Sequence, residues 1–409
     1  MTKLNLTRRK ALGVIGAAAG MPFIVKGRRA LAQDEVPLGT LCPLTGSGST
    51  VGGPMERAVR RQMEAINAAG GAGGHMLHGY HENSESDPNA AVIGAKKLIT
   101  VDGVSAILGD FASSTTLAVS PLCIANNVVQ FTSAGEDSIT EQDHKGLIFR
   151  TEPGGMLWGR TFAEVAWQAG IRRAAASAVQ APFALAYTQN FVQYFEEMGG
   201  EIVSEPVIYA AQATSYRGEL QQLLENDPEL IFVMGFTPDT IILIKEAFQA
   251  GSTAKFLVPG YVGLDAELVK AVGPEAASGV LTIDPSPDKN SENWKKFVEL
   301  MEGDESGISY AAQTFDQTTL VGLAIEQTGK TDGPGISEGI KLVTTPGGTV
   351  VTSFDEGAEA IRAGTAITYS GLSSPCAFDE KGNITSANFT FYEIKDGEPV
   401  ANGSKMITL

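Results

Sequence analysis

The sequence predicts an α/β protein built from two βα arrays, and three observations carry that prediction. Apolar runs of strand length alternate with helical stretches from Val36 to Ile283. Runs such as Leu230–Met234 show no polar alternation, the pattern of parallel strands covered on both faces. The alternation restarts near residue 152, giving two arrays of similar size. With 409 residues, 43% of them apolar, the chain is long enough for two cores.

The first strand is expected at Val36–Leu41, followed by the loop PLTGSGSTVGGP and a helix over Met55–Ala68. Gly46, Gly48 and Gly52 space as GxGxxxG, which does not fit the dinucleotide fingerprint GxGxxG. A strand over Met76–Asn83 carries His78 and His81, with His75 just before it. His75 and His81 face one side and His78 the other, so the three close no metal site and read as partly exposed. Asp87-Pro88 starts a helix to Thr100, and VSAILGD is the next strand.

Ser113, Ser114, Thr115 and Thr116 follow that strand and open the helical segment LAVSPLCIAN. Small hydroxyl residues there either cap the helix or present donors to a ligand at the sheet edge. The fourth strand, Asn127–Thr132, ends in Ser133-Ala134-Gly135-Glu136-Asp137, and Leu147–Thr151 is extended. The second array runs as helix Met156–Ala169, strand Arg173–Val179, helix Phe183–Met198, strand Glu201–Tyr209 and helix Tyr216–Asn226. Strand Leu230–Met234, a helix to Ala250, strand Phe256–Val258, a helix and strand Gly279–Ile283 complete it. Beyond Ser291 the reading is helical, over 292–301, 310–328, 335–343 and 354–363, with no strands between and these helices packing back on the first array. A turn at Cys376–Gly382 and a strand over Asn388–Lys395 close the chain. GKT at 329–331 lacks the preceding glycine of a Walker motif, GxSxG is absent, and no catalytic constellation appears.

The amino terminus reads as an address. Arg8-Arg9-Lys10, a mildly apolar run from Gly13 to Val25 and Ala30-Leu31-Ala32 resemble a twin-arginine export signal over residues 1–32, placing the mature protein in the periplasm. The run is short for a membrane span. Those 32 residues hold seven basic side chains and no acid, leaving 23 basic against 47 acidic residues, a balance of −24. Such a surface repels polyanions and argues against a nucleic-acid partner. Cys42, Cys123 and Cys376 match no metal spacing, and their odd number leaves at least one unpaired.

The segments TGSGSTVGGPMERAVRRQMEAINAAGG, LGDFASSTT, PELIFVMGFTPDT, AAQTFDQTTLVGLAIEQTG and AFDEKGN follow in an order that resembles the periplasmic branched-chain amino acid binding proteins. These are type I solute receptors of ABC importers, and the resemblance covers the chain from about Val36 onward. It implies two Rossmann-like lobes joined by a three-strand hinge, with the ligand in the cleft between them. Lobe 1 is expected at 33–152 plus 284–371, and lobe 2 at 153–283 plus 372–409. The crossovers fall near Arg150–Pro153, Ile283–Pro285 and Gly371–Cys376.

The family's site positions transfer one at a time. The serine that holds the ligand carboxylate matches Ser113, and the backbone position after the fourth strand matches Ala134. The family threonine is Glu136 here, and Val51 stands where an aromatic residue is common. The second-lobe tyrosines become Phe183 and Phe236. The acid that pairs with the ligand ammonium falls at Gly260 or Tyr261 and is absent, so Glu136 is its candidate replacement. With Glu136 in that role the resemblance implies an amino acid as ligand, the branched-chain class among the candidates. Otherwise Phe183, Phe236 and Tyr261 suit an aromatic or other organic acid, or an amide. The resemblance further implies a monomeric binding protein, with no enzyme activity and no cofactor or metal, whose partner is a membrane ABC permease. A sensory module acting through a signalling partner, and an exported enzyme, are the readings from other classes.

Overall fold

The computed structural model describes residues 35–287, 289–304 and 308–409. The export signal expected over 1–32 lies outside them. Two sheets organise the chain. The first contains β1 (Glu35–Cys42), β2 (Met76–Asn83), β3 (Ala106–Gly109), β4 (Val129–Thr132) and β5 (Ile148–Arg150), all parallel, in the order β2-β1-β3-β4-β5. Every residue of β3 and β4 is buried, as their unbroken apolar character requires between two helical layers.

The second sheet repeats the same winding. Its strands are β6 (Arg173–Val179), β7 (Glu201–Ile202), β8 (Val207–Tyr209), β9 (Leu230–Met234), β10 (Lys255–Pro259) and β11 (Leu281–Pro285). β7 and β8 both pair with β6, and β9, β10 and β11 follow outward on its other side. An antiparallel hairpin, β14 (Ser386–Lys395) with β15 (Glu398–Thr408), extends the far edge beyond β11. In both sheets the strand order reverses beside the first strand, at β1/β3 and at β6/β9. Each reversal opens a crevice at the carboxyl ends of the strands, where such sheets bind ligands.

Helices cover both sheets. Around the first sheet are α1 (Ser49–Ala68), α2 (Pro88–Thr100), α3 (Ser113–Asn126), α4 (Ser138–Glu141), α13 (Ile308–Thr328), α14 (Gly333–Thr344) and α15 (Phe354–Arg362). α12 (Glu292–Leu300) packs through Trp294 and Phe297 with Ala58 of α1. The second sheet carries α5 (Gly155–Gln168), α6 (Pro182–Glu197), α7 (Arg217–Leu223), α8 (Thr237–Gln249), α9 (Gly260–Gly263), α10 (Ala266–Val272) and α11 (Pro274–Ala277). α2 starts where its sequence demands: Asp87 accepts from the amides of Asn89 (2.9 Å) and Ala90 (3.0 Å), with Pro88 in the first turn. Each sheet has its own apolar core, one including Phe131, Phe149 and Leu320 and the other Phe162, Phe191 and Phe232.

The chain passes between these cores three times: after β5, after β11, and between β13 (Ile367–Tyr369) and β14. On the third passage Cys376 still packs in the first core, and Asn383 bridges to Arg150, the last residue of β5.

Several details depart from the sequence expectation. α1 begins at Ser49 and not Met55, running through Pro54 at its sixth position, where the ring forgoes one bond to the Thr50 carbonyl and the helix continues on the packing of its buried face. The single strand expected at 201–209 is two, with Pro206 between them unable to donate to a ladder. The region after Ser291 does contain strands. β12 (Thr349–Val351) pairs with β13, each too short to show a period. β15 is exposed along most of its length and lacks an apolar face to read. The three cysteines are all buried and free. Among the described residues no helix is long and apolar enough to cross a membrane, and no cluster of metal-ligating side chains occurs.

Candidate ligand-binding site

The two crevices carry most of the residues singled out from the sequence. Ser113 opens α3 directly beyond β3, and Ala134 follows β4. The N-cap of α3 is Ala112, with no side-chain cap bond, so neither Ser113 nor Thr115 caps the helix. Thr115 Oγ1 donates instead to the Ala112 carbonyl at 2.7 Å. Among the described residues the Ser113 hydroxyl has no hydrogen-bond partner. The Ala134 amide donates to Thr132 Oγ1 (3.1 Å), and Glu136 Oε1 accepts from the Ser138 amide (3.3 Å). Beneath Ser113 lies Asp110, only 2% exposed, whose Oδ1 accepts from the Phe111 amide at 2.6 Å. Burial pushes its carboxyl up to about 6, against the pull of the donors around it.

On the second sheet, Phe183 follows β6 and Phe236 follows β9, so both stand at the reversal point. Their rings meet at 5.8 Å, and Phe183 continues through Tyr187 (6.0 Å) to Trp158 (5.6 Å) as one aromatic wall. The Tyr261 hydroxyl donates to the Gly235 carbonyl (3.1 Å), beside Phe236.

The two lobes touch at defined points. A Cβ on Gly135 would lie 1.7 Å from the Tyr187 hydroxyl oxygen, so the bare backbone of lobe 1 is what admits this ring of lobe 2. Asp137 accepts from the buried Arg150 guanidinium (2.9 Å), the Gly155 amide (3.0 Å) and Asn190 Nδ2 (3.4 Å), tying the first crossover to α5 and α6.

A cavity of about 270 Å³ sits where the crossovers meet. Its wall includes Val51 and Tyr310 from the first lobe, Trp158 and Tyr261 from the second, and Glu152, Asp284 and Ser373 from the three crossovers. Of the six residues predicted from sequence, Tyr261 lines this cavity. Phe183 and Phe236 reach it only through the aromatic wall, and Ser113, Ala134 and Glu136 stand apart on the lobe 1 edge.

Glu152 is held at both oxygens, by Trp158 Nε1 (2.9 Å) and Gln313 Nε2 (2.5 Å). Burial pushes its carboxyl up to about 7; those two donors pull it down and the charge of Asp284 pushes it further up. Burial likewise pushes Asp284 up to about 6. Among the described residues no donor reaches the Asp284 carboxylate. It occupies the space of a side chain that Gly260 does not have, because a Cβ on Gly260 would lie 2.5 Å from Asp284 Oδ1. Asp284 thus stands beside position 260 from the neighbouring strand β11.

Sequence reading missed the group on α13 that supports all this. Gln313, Asp316 and Gln317 lie three and four apart, hence on one face, and all are buried. Gln317 Oε1 accepts from the Gly109 amide (2.9 Å), while its Nε2 donates to Ser133 (3.2 Å) and Thr151 (2.8 Å), joining β3, β4 and the first crossover. Asp316 holds the third crossover through Tyr369, Leu372 and Ser373. A polar stripe inside an otherwise apolar helix was the available signal. So was the repeated acid-proline pair, Glu152-Pro153 and Asp284-Pro285, closing two crossing strands.

Comparison with known proteins agrees with this architecture. A sequence model of the family described as "Periplasmic binding protein" matches residues 35–399, and the chain belongs to that family. It is 25% identical over 371 residues to a leucine-, isoleucine-, valine-, threonine- and alanine-binding protein of Pseudomonas aeruginosa, covering 89% of this chain and 91% of that one. The fold is shared with a branched-chain amino acid transporter substrate-binding protein of Streptococcus pneumoniae solved with isoleucine. That pair has a TM-score of 0.71 and 18% identity, over 92% of this chain and 100% of the other. A solute-binding protein of Rhodopseudomonas palustris solved with p-hydroxybenzoic acid also has a TM-score of 0.71, at 20% identity over 92% and 97% of the two chains.

Proposed function

We propose that this chain is an exported receptor that closes its two lobes on a small amino compound, with an amino acid first, and delivers it to a membrane ABC permease. The observation that carries the reading is one cavity lined by both lobes and by all three crossovers, so that whatever fills it bears on lobe closure. Membership of the binding-protein family supports capture without turnover and a periplasmic location. The curated Pseudomonas relative, named for aliphatic amino acids, supports the ligand class. We further propose export by the twin-arginine route, action as a monomer, and lobes divided as the sequence implies, with Ser113, Ala134 and Glu136 facing Phe183, Phe236 and Tyr261.

A second reading, an aromatic-acid receptor, is favoured by the continuous Phe236–Phe183–Tyr187–Trp158 wall and by the Rhodopseudomonas neighbour. Thermal-shift titration with L-leucine, L-alanine and 4-hydroxybenzoate decides between them. A ligand that binds only the folded form at a hundredfold excess over Kd adds about 2.7 kcal/mol of stability. A shift with the amino acids and none with the aromatic acid supports the first reading, and the reverse result replaces it with the second.

A further inference from the structure

The polar wall of the hinge cavity is rich in acceptors, beside the hydroxyls of Ser309 and Tyr310. Glu152 and Asp284 are carboxylates. Gln313 presents its NH2 to Glu152, which turns the amide oxygen the other way. That residue is only 4% exposed, lines the cavity, and its Oε1 has no hydrogen-bond partner. The Ser373 hydroxyl donates to Asp316, so toward the cavity it too offers lone pairs. A buried acceptor without a donor costs free energy, and a buried carboxylate without a counter-charge costs more. The apolar surface combines Val51, Ile308 and prolines with the rings of Trp158, Tyr261 and Tyr310, whose faces attract cations.

We infer that this cavity is the subsite for a positively charged, hydrogen-bond-donating end of the ligand, a primary ammonium or an amidinium, with Asp284 as its charge partner and Gln313 Oε1 as a second acceptor. The inference rests on the receptor function proposed above and specifies its ligand: an amine and not a simple acid. The charge partner stands on a hinge strand and not on a lobe edge. A cation in the cavity therefore bears directly on a segment that crosses between the lobes. Gly260 is part of the device, since any side chain there displaces Asp284. Glu152 is a positioning residue, held by Trp158 and holding Gln313.

Three probes on one carbon skeleton test this by titration calorimetry at pH 7.5: L-leucine, 4-methylpentanoate (no amine) and 3-methylbutylamine (no carboxylate). L-leucine is expected to bind wild type, and Asp284→Asn to weaken it about 100-fold or more, as for a desolvated charge pair losing one member. The amine-free acid should be no weaker on the variant. L-leucine binding unchanged by Asp284→Asn overturns the inference and leaves the amino-acid reading standing. Binding of 3-methylbutylamine without L-leucine overturns that reading and keeps the cation subsite. Binding of 4-methylpentanoate alone, or of neither amine, overturns the subsite.

Should Asp284→Asn fail to fold, the wild type tested against pH serves instead. The groups whose charge reaches Asp284 are Glu152, Lys289, Tyr310 and Tyr392, while Arg150, Tyr187, Tyr261 and Tyr310 couple to Glu152. The tyrosines are raised by burial and stay neutral, so the titration read here is that of the two carboxyls. L-leucine affinity should fall about tenfold per unit below pH 6. Affinity that stays flat to pH 5 overturns the inference.

Discussion

Asp316 anchors the third crossover to α13, and removing its carboxylate gives a calculable loss. Oδ1 accepts from the Tyr369 hydroxyl (2.7 Å) and the Leu372 amide (2.8 Å). Oδ2 accepts from the Ser373 amide (2.7 Å) and hydroxyl (2.5 Å). Asp316→Ala leaves four donors without an acceptor, two of them on the fully buried Tyr369 and the mostly buried Leu372. Deleting one member of such a buried charged network costs about 3–5 kcal/mol. Against that stands relief from burying the charge, which pushes the carboxyl up to about 6, so the lower half of the range is expected. A chain of 409 residues unfolding as one unit has an unfolding entropy of about 0.9 kcal/mol/K, so Tm should fall by about 3–5 °C. Differential scanning calorimetry reads this directly. A variant melting within about 1 °C of wild type would refute the reasoning, because it would mean the donors reach water and the crossover is not held by Asp316.

Three further outcomes follow from the same geometry. Asp110, Asp284 and Asp316 sit at about 6 and Glu152 at about 7, so the folded chain holds protons that the unfolded chain releases near pH 4. Stability should therefore fall as pH rises from about 4 to 7, by about 3 kcal/mol per group at most. The carboxyls held below their usual range, Glu229, Glu292 and Glu393, act only at lower pH; His81 and His144, lowered by burial, oppose the trend below pH 6.5 but are two groups against four. A ligand-free Tm higher at pH 5 than at pH 7.5 is the expected result, and a rising or flat profile contradicts it. Gly260→Ala places a methyl 2.5 Å from Asp284 Oδ1 and should weaken L-leucine binding about tenfold or more, with about 1–3 kcal/mol lost from overpacking. Calorimetric Kd and Tm check both parts. Gly135→Ala places a methyl 1.7 Å from the Tyr187 oxygen and should push the lobes apart at that contact, read as a larger radius of gyration in solution scattering. An unchanged radius with bound L-leucine would show that the contact adjusts locally.

The fold was legible because strands buried on both faces announce themselves. Arg173–Val179 and Leu230–Met234 are strands over the residues their apolar runs mark. β12 and β13 were not legible, since three residues carry no period, and β15 was missed because its side chains face water. Asp396-Gly397, the tight turn joining β14 to β15, was nonetheless a readable hairpin signal. The site divides the same way. Phe183, Phe236 and Tyr261 came from the family resemblance alone, and in the chain they follow β6, β9 and β10. Asp284 was not found, because its role depends on space left by Gly260 one strand away, a tertiary relation that no local pattern encodes. Gln313 lies inside a helix whose apolar character hid the polar face.

The most direct measurement is a crystal structure of the protein grown with L-leucine. The account predicts the ligand between the lobes, its ammonium nitrogen at hydrogen-bond distance, about 3 Å, from the carboxylate of Asp284 and the amide oxygen of Gln313. An ammonium resting on Glu136, with the hinge cavity left to solvent, would contradict it and return the charge-partner role to the lobe 1 edge.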